Sequence, residues 1–183
     1  MKFLKSIVIA AALVSCLVSE SNAQNTPIPK PGPEFDVLKA DVGVWDVTIK
    51  TWAGPGQPTI SKGKETNRML GGFWLLADFQ GSMMGADFQG HGMYSYDAAK
   101  NRYVGTWVDS MSASKMEIVG TYNADKKTMT YEGMAPGMDG KPAKHVLKTV
   151  YSDDGTHVFK MHVHTEAGAV KVFEMSYARA EGN

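Results

Sequence analysis

From residue 43 onward the chain alternates apolar and polar side chains with a period of two. In VWDVTIKTW, Trp45, Val47 and Ile49 fall on one face and Asp46, Thr48 and Lys50 on the other. SKMEIVGTY sets Met116, Ile118, Gly120 and Tyr122 against Lys115, Glu117 and Thr121. TMTYEG sets Met129 and Tyr131 against Thr128, Thr130 and Glu132, and THVFKMHV gathers His157, Phe159, Met161 and Val163 on one side. This is the period of a strand with one face buried and one wet, and it predicts antiparallel sheet. The clusters AGPGQP, GSMMGAD, DAAKN, NADKK, SDDG and TEAG read as turns, and MAPGMDGKP as a longer loop. Connections this short cannot make parallel crossovers, so neighbouring strands pair as hairpins. The strand and turn signals add up to about ten strands.

A meander of that many strands must hide its edges, and closure on itself does so. The expected fold is therefore all-β, an antiparallel up-and-down β-barrel of about ten strands. Residues 70–97, LGGFWLLADFQGSMMGADFQGHGMYSYD, mix glycines with bulky apolar residues. Glycines inside apolar strands mark the bends and bulges of a closing sheet. Gly90 and Gly92 share a face, a bare patch on which an aromatic ring could lie flat or which leaves room in the lumen. One segment breaks the period: in EFDVLKADV (residues 34–42), Phe35, Leu38 and Val42 have helical spacing and predict a short N-terminal helix that closes the mouth or the base.

Ahead of it, residues 24–33, QNTPIPKPGP, carry four prolines and read as an extended linker. Residues 1–23 read as a signal peptide: a basic start, an apolar run too short for a comfortable membrane span, and Ser21-Asn22-Ala23 as a small-x-small cleavage site. Leu13-Val14-Ser15-Cys16 also resembles a lipobox, which would make Cys16 a lipidated first residue. Both readings place the protein outside the cytoplasm, in the periplasm or beyond. Cleavage after Ala23 removes Cys16, the single cysteine, and with it any disulfide, thiol nucleophile or cysteine metal site. The domain then spans residues 34–180.

Nineteen basic residues balance nineteen acidic ones. No basic run tracks a phosphate backbone, so nucleic acid is not expected as a partner. An outer-membrane barrel would need an uncharged face on every strand, whereas here the outer positions carry Lys, Glu, Asp and Thr; no integral membrane domain is expected. Oligomeric state stays open.

The pattern LGG…F.G.M.G..F.G.G…YD…..Y..TW.DSM over residues 70–111, with VGVWDVTIKTWAGPGQP before it and DDGTHVFKM after it, resembles the bacterial domain-of-unknown-function family 1579. The resemblance covers roughly residues 33–179 and implies a lipocalin-like barrel. It carries no catalytic residues across.

Candidate chemistry is sparse. His162 and His164 could chelate a metal from one strand face, but Phe159, Met161 and Val163 claim the inside, which turns the pair to water, and no third ligand is evident. No metal site is expected. His145 and His157, on an expected hairpin, could approach each other or the lumen as hydrogen-bonded histidines, as polar ligand contacts or as haem axial ligands. Of twelve methionines, Met83, Met84, Met134 and Met138 sit in loops where Cu(I) could bind; Met93, Met116, Met129, Met161 and Met175 read as adaptable core filling. In ISKGKETNRML, one of Glu65, Asn67 and Arg68 could point inward, and Asp109 could cap a turn or line the mouth. Nucleophile-elbow and phosphate-loop motifs are lacking.

The aromatics are the better clue, because a barrel of this size can hold a small apolar ligand between walls of Trp and Tyr. The expected function is an exported barrel that binds a small, largely apolar molecule, with Trp45, Trp107, Tyr131 and His157 lining the site and no resident cofactor. An enzyme acting on a small molecule inside the barrel, or an envelope structural or interaction protein with a filled barrel, are the alternatives.

Overall fold

A computed structural model describes residues 29–181 apart from positions 55 and 138; the expected signal peptide and the first half of the linker, residues 24–28, lie outside the described residues. A 3₁₀ turn (Pro33–Phe35) leads into helix α1 (Asp36–Ala40). Ten strands follow: β1 (Gly43–Thr51), β2 (Thr59–Leu70), β3 (Trp74–Met83), β4 (Ala86–Asp97), β5 (Arg102–Asp109), β6 (Met116–Asn123), β7 (Thr128–Pro136), β8 (Pro142–Tyr151), β9 (His157–Thr165) and β10 (Gly168–Arg179). Each pairs antiparallel with its sequence neighbours, and β1 pairs with β10 to close the barrel.

The period-two faces sort as their sequences demand. Trp45, Val47 and Ile49 are buried, as are Ile118, Met129, Tyr131 and Val163, while the polar partners between them face water. Two positions depart from the expected faces: Thr128, set on the polar face, is buried with its hydroxyl donating to the Lys126 carbonyl, and Met93 lies 40% exposed on the outer face of β4. Its strand turns Phe88, Gly92 and Tyr94 toward the interior, and strict alternation then puts Met93 outside.

The β3–β4 hairpin within the glycine-rich stretch turns on Met84 (φ 53°) and Gly85 (φ 81°), between the paired residues Met83 and Ala86. Two left-handed residues in a two-residue loop are the type I′ geometry that matches sheet twist. Deeper in the sheet, the inward glycines lie beneath rings. A methyl at Gly92 would sit 2.5 Å from the Tyr94 ring, and one at Gly63 or Gly81 would crowd the ring of Phe79. The space above Gly90 is taken by the Trp107 indole. The bare patch is therefore covered by aromatic rings, one of the two uses the Gly90–Gly92 spacing suggested.

The helix is shorter than its spacing predicted and plugs one end. Phe35 meets Phe73 edge-on at 5.4 Å, Leu38 is 2% exposed, and the Tyr103 hydroxyl donates to the Glu34 carbonyl at 2.7 Å. The opposite end carries the β1–β2, β3–β4, β5–β6, β7–β8 and β9–β10 connections and stays open.

A methyl at Gly120 would fall 2.5 Å from the Tyr131 ring and onto the Thr130 carbonyl, which the β6–β7 ladder holds in place. Gly120→Ala is expected to cost ~1–3 kcal/mol by overpacking, read as a lower denaturation midpoint. Gly54→Ala, which meets nothing within 4 Å, serves as the control and is expected to leave the midpoint unchanged.

Candidate functional site

The barrel encloses a cavity of about 590 Å³. Its walls are apolar, among them Leu75, Phe79, Ile118, Met129, Leu147 and Met161. Its mouth is bordered by Met84 of the β3–β4 turn, Met111 and Lys115 of the β5–β6 connection and Pro136 at the end of β7. Its floor is polar, and the plugging helix builds it. The last carbonyls of a helix lack internal partners, and here side chains supply them. Trp45 Nε1 donates to the Asp41 carbonyl at 2.8 Å and Asn67 Nδ2 to the same oxygen at 3.1 Å. Arg179 donates to the carbonyls of Ala40, at 3.0 Å, and Val42. Held this way, Asp41 turns its carboxyl into the lumen.

Glu65 enters the floor from β2. Its carboxylate accepts from Asn67 Nδ2 at 2.8 Å and from the Tyr177 hydroxyl at 3.2 Å. Asp41 accepts from the Tyr151 hydroxyl at 3.0 Å. Asp41 Oδ1, Asn67 Oδ1 and Tyr131 Oη are buried with no partner.

The model of the family described as "Protein of unknown function (DUF1579)" matches residues 30–179. The chain belongs to the DUF1579 family. A comparison of this DUF1579 protein with curated proteins finds no match. Among solved structures, it is similar to Rv2717c from M. tuberculosis, with a TM-score of 0.59 and 11% identity over 83% of this chain and 100% of the other. It is also similar to the S-type phycobiliprotein lyase CPES from Guillardia theta, with a TM-score of 0.58 and 11% identity over 81% and 93% of the two chains. These likenesses concern the barrel fold.

Of the four expected lining residues, the DUF1579 barrel brings Trp107, Tyr131 and His157 to the cavity. Trp45 stands behind them. Its ring packs edge-on against His157 at 4.6 Å, with Arg179 over its face at 3.8 Å. His157 stacks on Tyr177 at 4.3 Å. His145 also lines the cavity but does not approach His157. In the β8–β9 ladder His145 pairs with Val163 and His157 with Tyr151, so they occupy opposite ends of the hairpin. Glu65 and Asn67 both point inward and Arg68 outward. Asp109 caps and lines at once, since it accepts from Trp107 Nε1 at 3.0 Å and from the Met111 amide at 2.9 Å. Met83 is buried, Met84 and Met134 are exposed, and Met138 lies outside the described residues. His162 and His164 lie on the outer face, and among the described residues no three His, Cys, Asp or Glu side chains gather as a metal site. Asp41 was the residue sequence reasoning missed. Its signal was the three-residue step from Leu38, which puts both on one side of the helix.

Burial shapes the charge of the floor. It pushes the Asp41 carboxyl from 3.8 up to about 7; the Tyr151 bond opposes this, the charge of Glu65 adds to it, and Arg179 opposes it. Glu65 is raised by burial against its bonds from Asn67 and Tyr177. His157 moves the other way, from 6.5 to about 4, through burial and then the Arg179 charge.

An acid with a raised folded-state value holds its proton more tightly folded than unfolded. Asp41 therefore contributes stability that is complete below 3.8 and is lost as pH rises to about 7. His157 contributes stability that is present above 6.5 and is lost as pH falls toward about 4. The two slopes oppose each other. Across that shared window, urea unfolding of His157→Gln is expected to show stability falling with rising pH more steeply than in the wild type, and Asp41→Asn less steeply. Identical slopes in all three proteins would contradict these environments.

Proposed function

We propose that this DUF1579 protein binds a small, largely apolar molecule in its barrel, and that it does so outside the cytoplasm. The cavity carries this reading. Its 590 Å³ falls in the usual range for small-molecule sites, ~300–1,000 Å³. Protein interiors normally pack without such voids, so a barrel that only had to hold itself together would fill this one. An apolar guest gains roughly 0.8 kcal/mol per buried methylene before the cost of association is subtracted. The likeness to a phycobiliprotein lyase supports a working lumen over a filled one. Export rests on the basic start, short apolar run and small-x-small site of residues 1–23.

The convergence of Asp41 and Glu65 favours a second reading, an enzyme with the same lumen. A carboxyl poised near neutral pH is suited to general acid–base work. Under that reading Asp41→Asn abolishes turnover and spares binding.

Trp107 lines the lumen, so apolar probes such as fatty alcohols are expected to change tryptophan fluorescence, and Trp107→Phe to remove most of the change. Ala135→Trp at the mouth is expected to weaken binding about tenfold or more, ~1.4 kcal/mol, with the thermal midpoint preserved. No fluorescence or calorimetric response to a broad panel of apolar compounds would sink the binding reading. N-terminal analysis of protein recovered from its host is expected to begin at Gln24 or at a lipidated Cys16; an intact Met1 would overturn export.

A further inference from the structure

We propose that the closed end of the lumen receives a protonated primary amine at the head of an otherwise apolar ligand, held by Asp41, Asn67 and Glu65. This rests on the lumen being a ligand site and names the chemistry of its deep end.

The acceptors come first. Asn67 spends both hydrogens of Nδ2, one on the Asp41 carbonyl and one on Glu65 Oε1. That network fixes the amide orientation and leaves Asn67 Oδ1 as a buried acceptor with no donor. Asp41 Oδ1 is in the same position. The other Asp41 oxygen is taken by Tyr151, and the Glu65 carboxylate is shared between Asn67 and Tyr177. Asp41, Asn67 and Glu65, joined through Asn67 Nδ2 to the Asp41 main-chain carbonyl and to Glu65 Oε1, thus bring two orphaned acceptor atoms and two acidic groups to the closed end of the lumen.

The missing partner is a cation. Among the described residues, neither the Asp41 nor the Glu65 carboxyl has a basic side chain in ion-pair range, whereas many carboxylates nearer the surface do; half-buried Glu174 alone meets Lys50, Lys160 and Lys171. Arg179 is committed elsewhere, with its nitrogens on the Ala40 and Val42 carbonyls and its guanidinium over Trp45. His157 lies flat on Tyr177. Lys115 belongs to the mouth, at the far end of the barrel. Buried charges are normally paired, and buried acceptors normally find donors.

A primary ammonium answers both needs, with three donors and no acceptor. It matches Asp41 Oδ1, Asn67 Oδ1 and the Glu65 carboxylate in kind and number. A fatty acid would bring a third acidic group against the first two, and a fatty alcohol has only one hydrogen to give. Ahead of the head group the walls are apolar up to Trp107 and the methionines of the mouth, which suits a hydrocarbon tail.

The test uses three probes of one chain length, dodecylamine, dodecanol and dodecanoate, titrated calorimetrically into the purified protein at mildly alkaline pH. Dodecylamine is expected to bind about tenfold tighter than dodecanol, and dodecanoate weakest. In Asp41→Asn/Glu65→Gln the preference for the amine is expected to vanish while dodecanol binding is retained. Glu65→Gln alone, whose single amide oxygen still accepts from Asn67 while its NH2 donates to the Tyr177 hydroxyl turned acceptor, is expected to reduce the preference severalfold and serves if the double variant does not fold. Dodecanol or dodecanoate binding as tightly as dodecylamine, or a preference that survives substitution, overturns the amine site and leaves the lumen reading standing. Failure of all three probes to bind overturns both.

Discussion

The seam between β1 and β10 is the contact on which the rest of the molecule depends. It runs from the Thr51–Phe173 pair to the Trp45–Arg179 pair and removes the last two free edges of the sheet. Its final pair does more than close the barrel. Arg179 lies over the Trp45 ring and ties down the carbonyls of Ala40 and Val42, while Trp45 ties down that of Asp41. Closure, the position of the plugging helix and the inward aim of the Asp41 carboxyl are therefore one event. Separating them would leave a helix end with unsatisfied carbonyls and a buried acid without its neighbours.

The interior that results is graded along its length. Apolar side chains from β3, β6, β7, β8 and β9 make the walls, linked acids, amide and tyrosines make the floor, and the mouth mixes methionines with serines and Lys115. The tyrosine hydroxyls share in this grading. Burial raises the pKa values of Tyr131, Tyr151 and Tyr177 well above the ordinary value, with the nearby acids adding to the effect. They stay protonated and can donate at any pH at which the fold is relevant. The floor can thus hold negative charge or a proton, and the choice is governed by whatever shares the space.

Most of this fold is legible in the chain because alternation is a local property. Trp45, Val47 and Ile49 declare an inside without reference to any other strand, and the same holds for Ile118, Met129 and Val163. The type I′ turn at Met84-Gly85 is equally local. The site is less legible because it depends on distances between strands. His145 and His157 share a face and a hairpin, yet only the register shows that a hairpin's length separates them. Trp45 is apolar and inward like a lining residue, but Arg179, His157 and Tyr177 cover it. Asp41 was hidden for a different reason. A charged residue at a helix end ordinarily faces water, and only the three donors gathered on neighbouring carbonyls turn it inward.

The glycines beneath the aromatic rings bear on how such a container could change its contents. Gly63, Gly81, Gly90 and Gly92 form shallow berths in which Phe79, Trp107 and Tyr94 recline. The bore of the tube is set by how deeply those rings can lie. A single methyl added in a berth would tip a ring toward the axis and narrow the passage, without altering any group that touches the guest. Substitution at these glycines would therefore reshape the lumen from positions that no inventory of its lining side chains would include.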